Sequence, residues 1–130
     1  MKPSEEQKIK LISLQKEGIE FSFPDDETIV IKQKEIPQNR LFSNKQLYVL
    51  VKEIFPESKI IPVVFSLNLN IVTIEWVTKQ LQLYGIKSKD LQRQLGFKKE
   101  IINNFLKSGS RLEPTEKAAL FYYFLTFERV

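Results

Sequence analysis

The chain is predicted to be α+β: a small N-terminal element of helix and β-hairpin, followed by an all-α bundle of four to five helices. Three observations carry this. Apolar residues alternate with period two in "IEFSF" and "TIVIK", on either side of the turn-forming "PDDE". From about Thr73 they recur instead at intervals of three and four. Isolated glycines at Gly85 and Gly96 then stop successive short helical segments. The implied division is an N-terminal α+β element over residues 1–70, serving packing, partner binding or dimerisation, and a helical domain over 71–130.

Taken in order, Ser4 to Lys16 sets Ile9, Leu11 and Ile12 among charged residues ahead of Gly18, which predicts a short amphipathic helix. The hairpin follows. Ser43 and Gln46 have capping-box spacing before "LYVLVKEIF", and Pro56 ends that helix. "KIIPVVFSLN" suits a strand, with Pro62 confining it to an edge or a bulge. Ile74, Val77, Leu81 and Tyr84 mark the next helix, and Leu91 and Leu95 the one after it. A further helix runs from about Lys98 to Lys107. The last begins at Pro114, with Glu116 in its first turn, and carries "AALFYYFLTF".

The chain has 130 residues, within the range of one domain or of a small element beside a larger one. It contains no cysteine and no histidine, which excludes disulfides, thiol nucleophiles, histidine acid–base chemistry and the usual zinc ligand sets. No catalytic site, metal site or cofactor is expected. Asp25, Asp26 and Glu27 lack the alternating spacing of a calcium loop and are read as a solvated turn. No apolar run reaches the roughly 18 residues that would span a bilayer, and the N-terminus lacks a signal-peptide apolar region, so a cytoplasmic protein without membrane contact is expected. Lysine outnumbers arginine 16 to 4, a bias that points to an AT-rich bacterial or phage genome.

The positive charge is uneven. Residues 1–70 carry 10 Lys+Arg against 10 Asp+Glu, and residues 71–130 carry 10 against 6, so the net +4 lies entirely in the second half. Between Gly85 and Leu112, Lys87, Lys89, Arg93, Lys98, Lys99, Lys107 and Arg111 face only Asp90 and Glu100. A patch of this kind is either a solvated surface or the footprint of a polyanion. Winding residues 98–108 as a helix puts Ile101, Ile102, Phe105 and Leu106 on one side, and Lys99, Glu100, Asn103, Asn104 and Lys107 on the other. Two features favour the footprint. A lysine pair at a helix start opposes the macrodipole until an anion binds, and asparagine can pair bidentately with adenine.

With its helix ending at Gly85, "IKSKDLQRQLGF", "KKEIINNFLKSG" and a helix after "RLEPTEKAAL", the segment from about Ile74 to Phe127 resembles the lambda-repressor-like (Xre-type) helix-turn-helix family. That resemblance implies a helix-turn-helix bundle that binds double-stranded DNA, with the helix at 98–108 in the major groove and a homodimer on two half-sites. It implies base contacts from Lys99, Glu100, Asn103 and Asn104, with Glu100 either accepting from cytosine or discouraging a wrong register. It implies phosphate contacts from Ser88, Lys89, Lys98, Lys107, Ser110 and Arg111. Three positions depart from the family pattern: Gln92 replaces the usual small residue, Ser108 the usual glycine, and Lys87 the usual N-cap, a role Ser88 could take.

The tail is apolar almost all round. It is either a central core helix or a dimer interface through Phe121, Tyr122, Phe124 and Phe127. Trp76 is read as core or rim packing. The expected function is a sequence-specific DNA-binding transcriptional regulator. The alternative is a non-enzymatic protein-interaction module that uses the bundle and the aromatic C-terminal helix, and a partner for the N-terminal half is open under either.

Overall fold

The computed structural model describes residues 2–127 and is α+β. It divides into two compact units, Met1–Ser66 and Leu67–Val130.

The N-terminal unit begins with α1 (Glu5–Gln15), started by a reciprocal capping box in which Ser4 Oγ accepts from Gln7 N–H at 3.1 Å and Gln7 Oε1 accepts from Ser4 N–H at 2.9 Å. β1 (Ile19–Ser22) and β2 (Thr28–Gln33) form the antiparallel hairpin, with Phe21 opposite Ile31. The turn between them is tied by Asp25, whose carboxylate accepts from Glu27 N–H at 2.8 Å and from the Thr28 hydroxyl at 3.2 Å. After the crossover helix α2 (Asn44–Ile54), β3 (Lys59–Val63) pairs with β2 in parallel, Ile29 opposite Ile60. Ser43 and Gln46 form the box at the start of α2.

The sheet order β1-β2-β3 leaves β3 on an edge. Lys59 donates its N–H to Glu27 O, so alternate residues 60 and 62 turn their backbone groups away from β2. Pro62, which has no N–H, thus occupies the position where it costs no ladder bond. The core of this unit joins Leu11, Ile19, Ile29, Ile31, Leu47, Val51, Phe55 and Ile60.

Two features of this unit differ from the sequence reading. In α1 the inward stripe is Gln7, Leu11 and Leu14, spaced four and three apart. Gln7 Nε2 reaches Ile54 O at 3.0 Å, while Ile9 and Ile12 lie off the stripe and are exposed, at 67% and 52%. A fully buried Gln33 was also not foreseen. Its Nε2 donates to Arg40 O at 2.7 Å and Glu35 O at 3.2 Å, and its Oε1 accepts from Phe42 N–H at 2.8 Å. These bonds gather residues 35–42, where Gln38 and Asn39 both have positive φ (56° and 59°). Gly18 lies against the same loop with φ +84°, and a Cβ there would run into the Glu35 carbonyl.

The C-terminal unit holds α3 (Ile74–Tyr84), α4 (Ser88–Leu95), α5 (Lys99–Ser108) and α6 (Pro114–Leu125). Thr73 Oγ1 caps α3 by accepting from Trp76 N–H at 3.2 Å. Pro114 is the first residue of α6, whose start is held by Glu116 accepting from Glu113 N–H at 2.7 Å. Val72, Val77, Leu91, Ile102, Phe105, Leu112, Leu120, Phe121 and Phe124 are buried. α5 packs on both α3 and α4.

Candidate nucleic-acid interface

α4 and α5 are joined through Gly96, which ends α4 with φ +74° and so reverses the chain in one residue. Lys87 is the N-cap of α4. Its side chain makes no cap bond, and Ser88 is the first helical residue; the helix start is held by Asp90 Oδ2, which accepts from Lys87 N–H at 3.0 Å. Lys98 is the N-cap of α5, again with no side-chain cap. Both helices therefore begin at a lysine, where a carboxylate or hydroxyl would stabilise the free N–H groups better.

The proposed contacts divide by exposure. Lys89, Lys98, Lys99, Glu100, Asn104, Lys107, Ser110 and Arg111 are exposed; Ser88 and Asn103 are half-buried. Asn103 lies at the edge of the outward face, whose middle is held by Glu100, Asn104 and Lys107, spaced four and three residues apart. The backbone of Asn104 is well anchored, since its carbonyl accepts from Ser108 Oγ at 2.9 Å and Ser110 N–H at 3.4 Å. Among the described residues no hydrogen bond holds its side-chain amide. Likewise, among the described residues none of the seven basic side chains from Lys87 to Arg111 is in an ion pair, whereas Lys8–Glu5, Lys34–Glu20 and Arg40–Glu17 are paired in the N-terminal unit.

Two exposed groups were not singled out from the sequence. Gln94, beside Arg93 at the end of α4, widens the polar surface. Ile101, assigned to the buried side of its helix, is 37% exposed. The helical wheel holds the clue: Ile102 and Phe105 centre the buried arc, and Ile101 falls about 100° from Ile102. On that side of α5 the structure leaves a groove of about 290 Å³ lined by Leu95, Phe97, Lys98, Ile101, Thr115, Glu116 and Ala119, so the isoleucine is partly open.

The aromatic tail resolves into core and surface. Trp76 stacks on Phe121 at 5.7 Å and meets Phe124 edge-on at 5.6 Å, the packing role expected of it. Of the two readings of this helix, core or dimer interface, the burial of Phe121 and Phe124 within the unit favours core packing for those two rings. Phe127 is half-buried and stacks on Tyr84 at 5.1 Å, while Tyr122 is 40% exposed. Tyr123 contacts Phe127 edge-on at 5.2 Å. Its burial first, and the Asp90 carboxylate second, push its phenol above the ordinary tyrosine range.

Comparison with known proteins gives no match: no family model, no curated protein and no solved structure matches this chain.

Proposed function

We propose that this chain is a sequence-specific double-stranded DNA-binding protein, a transcriptional regulator of bacterial or phage type that reads the major groove with α5. The observation that carries this reading is the set of exposed basic side chains around α4 and α5 that find no carboxylate among the described residues, with Asn104 at the centre of the same face. Lysines and Arg111 neutralise phosphates and release counterions, and Asn104, Lys99 and Glu100 meet base edges. Asn103 contributes less, being half-buried. The test is fluorescence anisotropy with mixed-sequence and AT-rich duplexes at low and near-physiological salt. Affinity that falls steeply with salt is the expected result. Absence of binding at low salt overturns the reading.

Self-association belongs to the same proposal, resting on the exposed Tyr122 in place of the buried rings. A sedimentation profile that shows only monomer at micromolar concentration removes it.

A protein partner for the N-terminal unit has a separate observation in its favour. Leu41, Tyr48 and Val49 are exposed at 44%, 42% and 46%, beside a groove lined by Phe42, Lys45 and Leu50. Under that reading Val49→Glu abolishes capture of a partner from nuclease-treated lysate and leaves DNA affinity unchanged.

A further inference from the structure

Ile101 stands in the first turn of α5, three residues before Asn104, and Glu100 stands four before it. On a helix these spacings bring side chains to within about 5–6 Å of one another at Cβ, so Glu100, Ile101 and Asn104 form one small surface patch. All three are exposed, and exposed lysines at Lys98 and Lys99 border the patch. Ile101, 37% exposed, thus stands at the border of the polar surface proposed to enter the groove, with Leu95, Phe97, Thr115 and Ala119 on its other side.

The floor of the major groove offers such a side chain one apolar feature. Each A·T pair presents adenine N7 and N6 at one end and the thymine O4 and C5-methyl at the other, whereas a G·C pair has no methyl there. An asparagine amide matches the adenine edge, and a branched aliphatic side chain matches the methyl. We propose that Ile101 is a specificity-determining residue that packs on a thymine 5-methyl next to the base pair read by Asn104, which makes an A·T-containing step the preferred target. The inference rests on the DNA-binding reading and adds to it the base that α5 selects.

The experiment uses the full chain. A preferred duplex is selected from a randomised pool, and each dT in it is then replaced singly by dU, which removes only the methyl. For the wild-type chain, at least one replacement weakens binding by about three- to fourfold, the value of one buried methyl. In Ile101→Ala the same replacement changes affinity by less than about 1.5-fold, because the methyl no longer meets a side chain. Ile101→Val, which keeps a branched side chain at that position, retains the response. Each other outcome counts against the proposal in its own way. Indifference of the wild-type chain to every dU overturns the role of Ile101 and leaves DNA binding standing. An undiminished dU effect in Ile101→Ala assigns the methyl to another residue. Failure to enrich any duplex overturns this inference and the DNA-binding reading together.

Discussion

The two units differ in how the polar groups at their helix starts and some of their cations are held. In the N-terminal unit, a set of charges and amides is satisfied within the chain: two reciprocal capping boxes start α1 and α2, Nη1 of Arg40 lies 3.1 Å from both Glu17 carboxylate oxygens, Lys52 Nζ reaches Ser58 O at 2.7 Å, and the buried Gln33 makes three hydrogen bonds. In the C-terminal unit, α4 and α5 begin at lysines whose side chains cap nothing, and the cations around them have no carboxylate partner among the described residues. Both units have an apolar core, so the contrast is not one of folded against unfolded. Under the DNA-binding proposal, the outward donors around α4 and α5 meet a partner that brings the acceptors.

The contrast can be broken hardest at glycine. Gly18→Ala places a methyl against the Glu35 carbonyl at φ +84°, and a loss of more than about 3 kcal/mol is expected in denaturant unfolding. Gly96→Ala has the same backbone problem with no atom within 4 Å of the new Cβ, so about 1 kcal/mol is expected. Equal losses would mean that the tight contact at Gly18 relaxes freely.

Next in size is Gln33→Leu, which leaves the Phe42 N–H and the Arg40 carbonyl without the partner they have now. An unfolding midpoint corresponding to a loss of about 2–3 kcal/mol is expected. A change near zero would show that residues 35–42 hold their shape unaided.

On the other side of the comparison, Asn104→Ala is expected to cost about 1–3 kcal/mol at a preferred duplex and little on other DNA. Lys89→Ala is expected to weaken all duplexes alike and to lower the salt slope by about one. Both are read by anisotropy titration, and a sequence-selective effect from Lys89 would reverse the two roles.

The smallest effects are those of pH, and they too divide between the units. Glu27 N–H first, then the Thr28 hydroxyl, hold the Asp25 carboxyl below its ordinary pKa of 3.8. The folded value lies below the unfolded one, so this contribution is present above pH 4 and is lost as the pH falls through the folded pKa. Asp25→Asn should therefore differ from wild type in neutral solution and converge with it in acid. For Tyr123 the shift is upward from 10.0, so its contribution is complete below pH 10 and is lost as the pH rises through the folded pKa. Tyr123→Phe should flatten the alkaline limb of a pH–stability curve, and tyrosinate absorbance checks the titration directly.

Much of the fold was legible because local chemistry marks it. Ser43 with Gln46, Thr73, Gly85, Gly96 and Pro114 each determine a helix end through one or two short-range bonds or a backbone angle, and "PDDE" sets a turn in the same way. The parallel pairing of β3 with β2 was not legible, since it depends on where α2 returns the chain, over a separation that no local pattern encodes. Gln33 was hidden for a related reason: its three partners come from a loop with no sequence signature. At the candidate site, periodicity gave the outward positions of Glu100, Asn104 and Lys107. It could not show that the flank of α5 facing the groove would leave Ile101 partly open.

Pro62 bears on how this chain behaves in a crowd of its own copies. A sheet with a free edge is a template, and each strand that docks on it recreates the edge for the next. At β3 that propagation is interrupted covalently, because an incoming strand finds no hydrogen to accept at the middle of the edge. Edge-to-edge growth at β3 is thereby disfavoured, and this safeguard persists even when the surrounding side chains loosen, since no fluctuation can restore a donor that the imino acid never had.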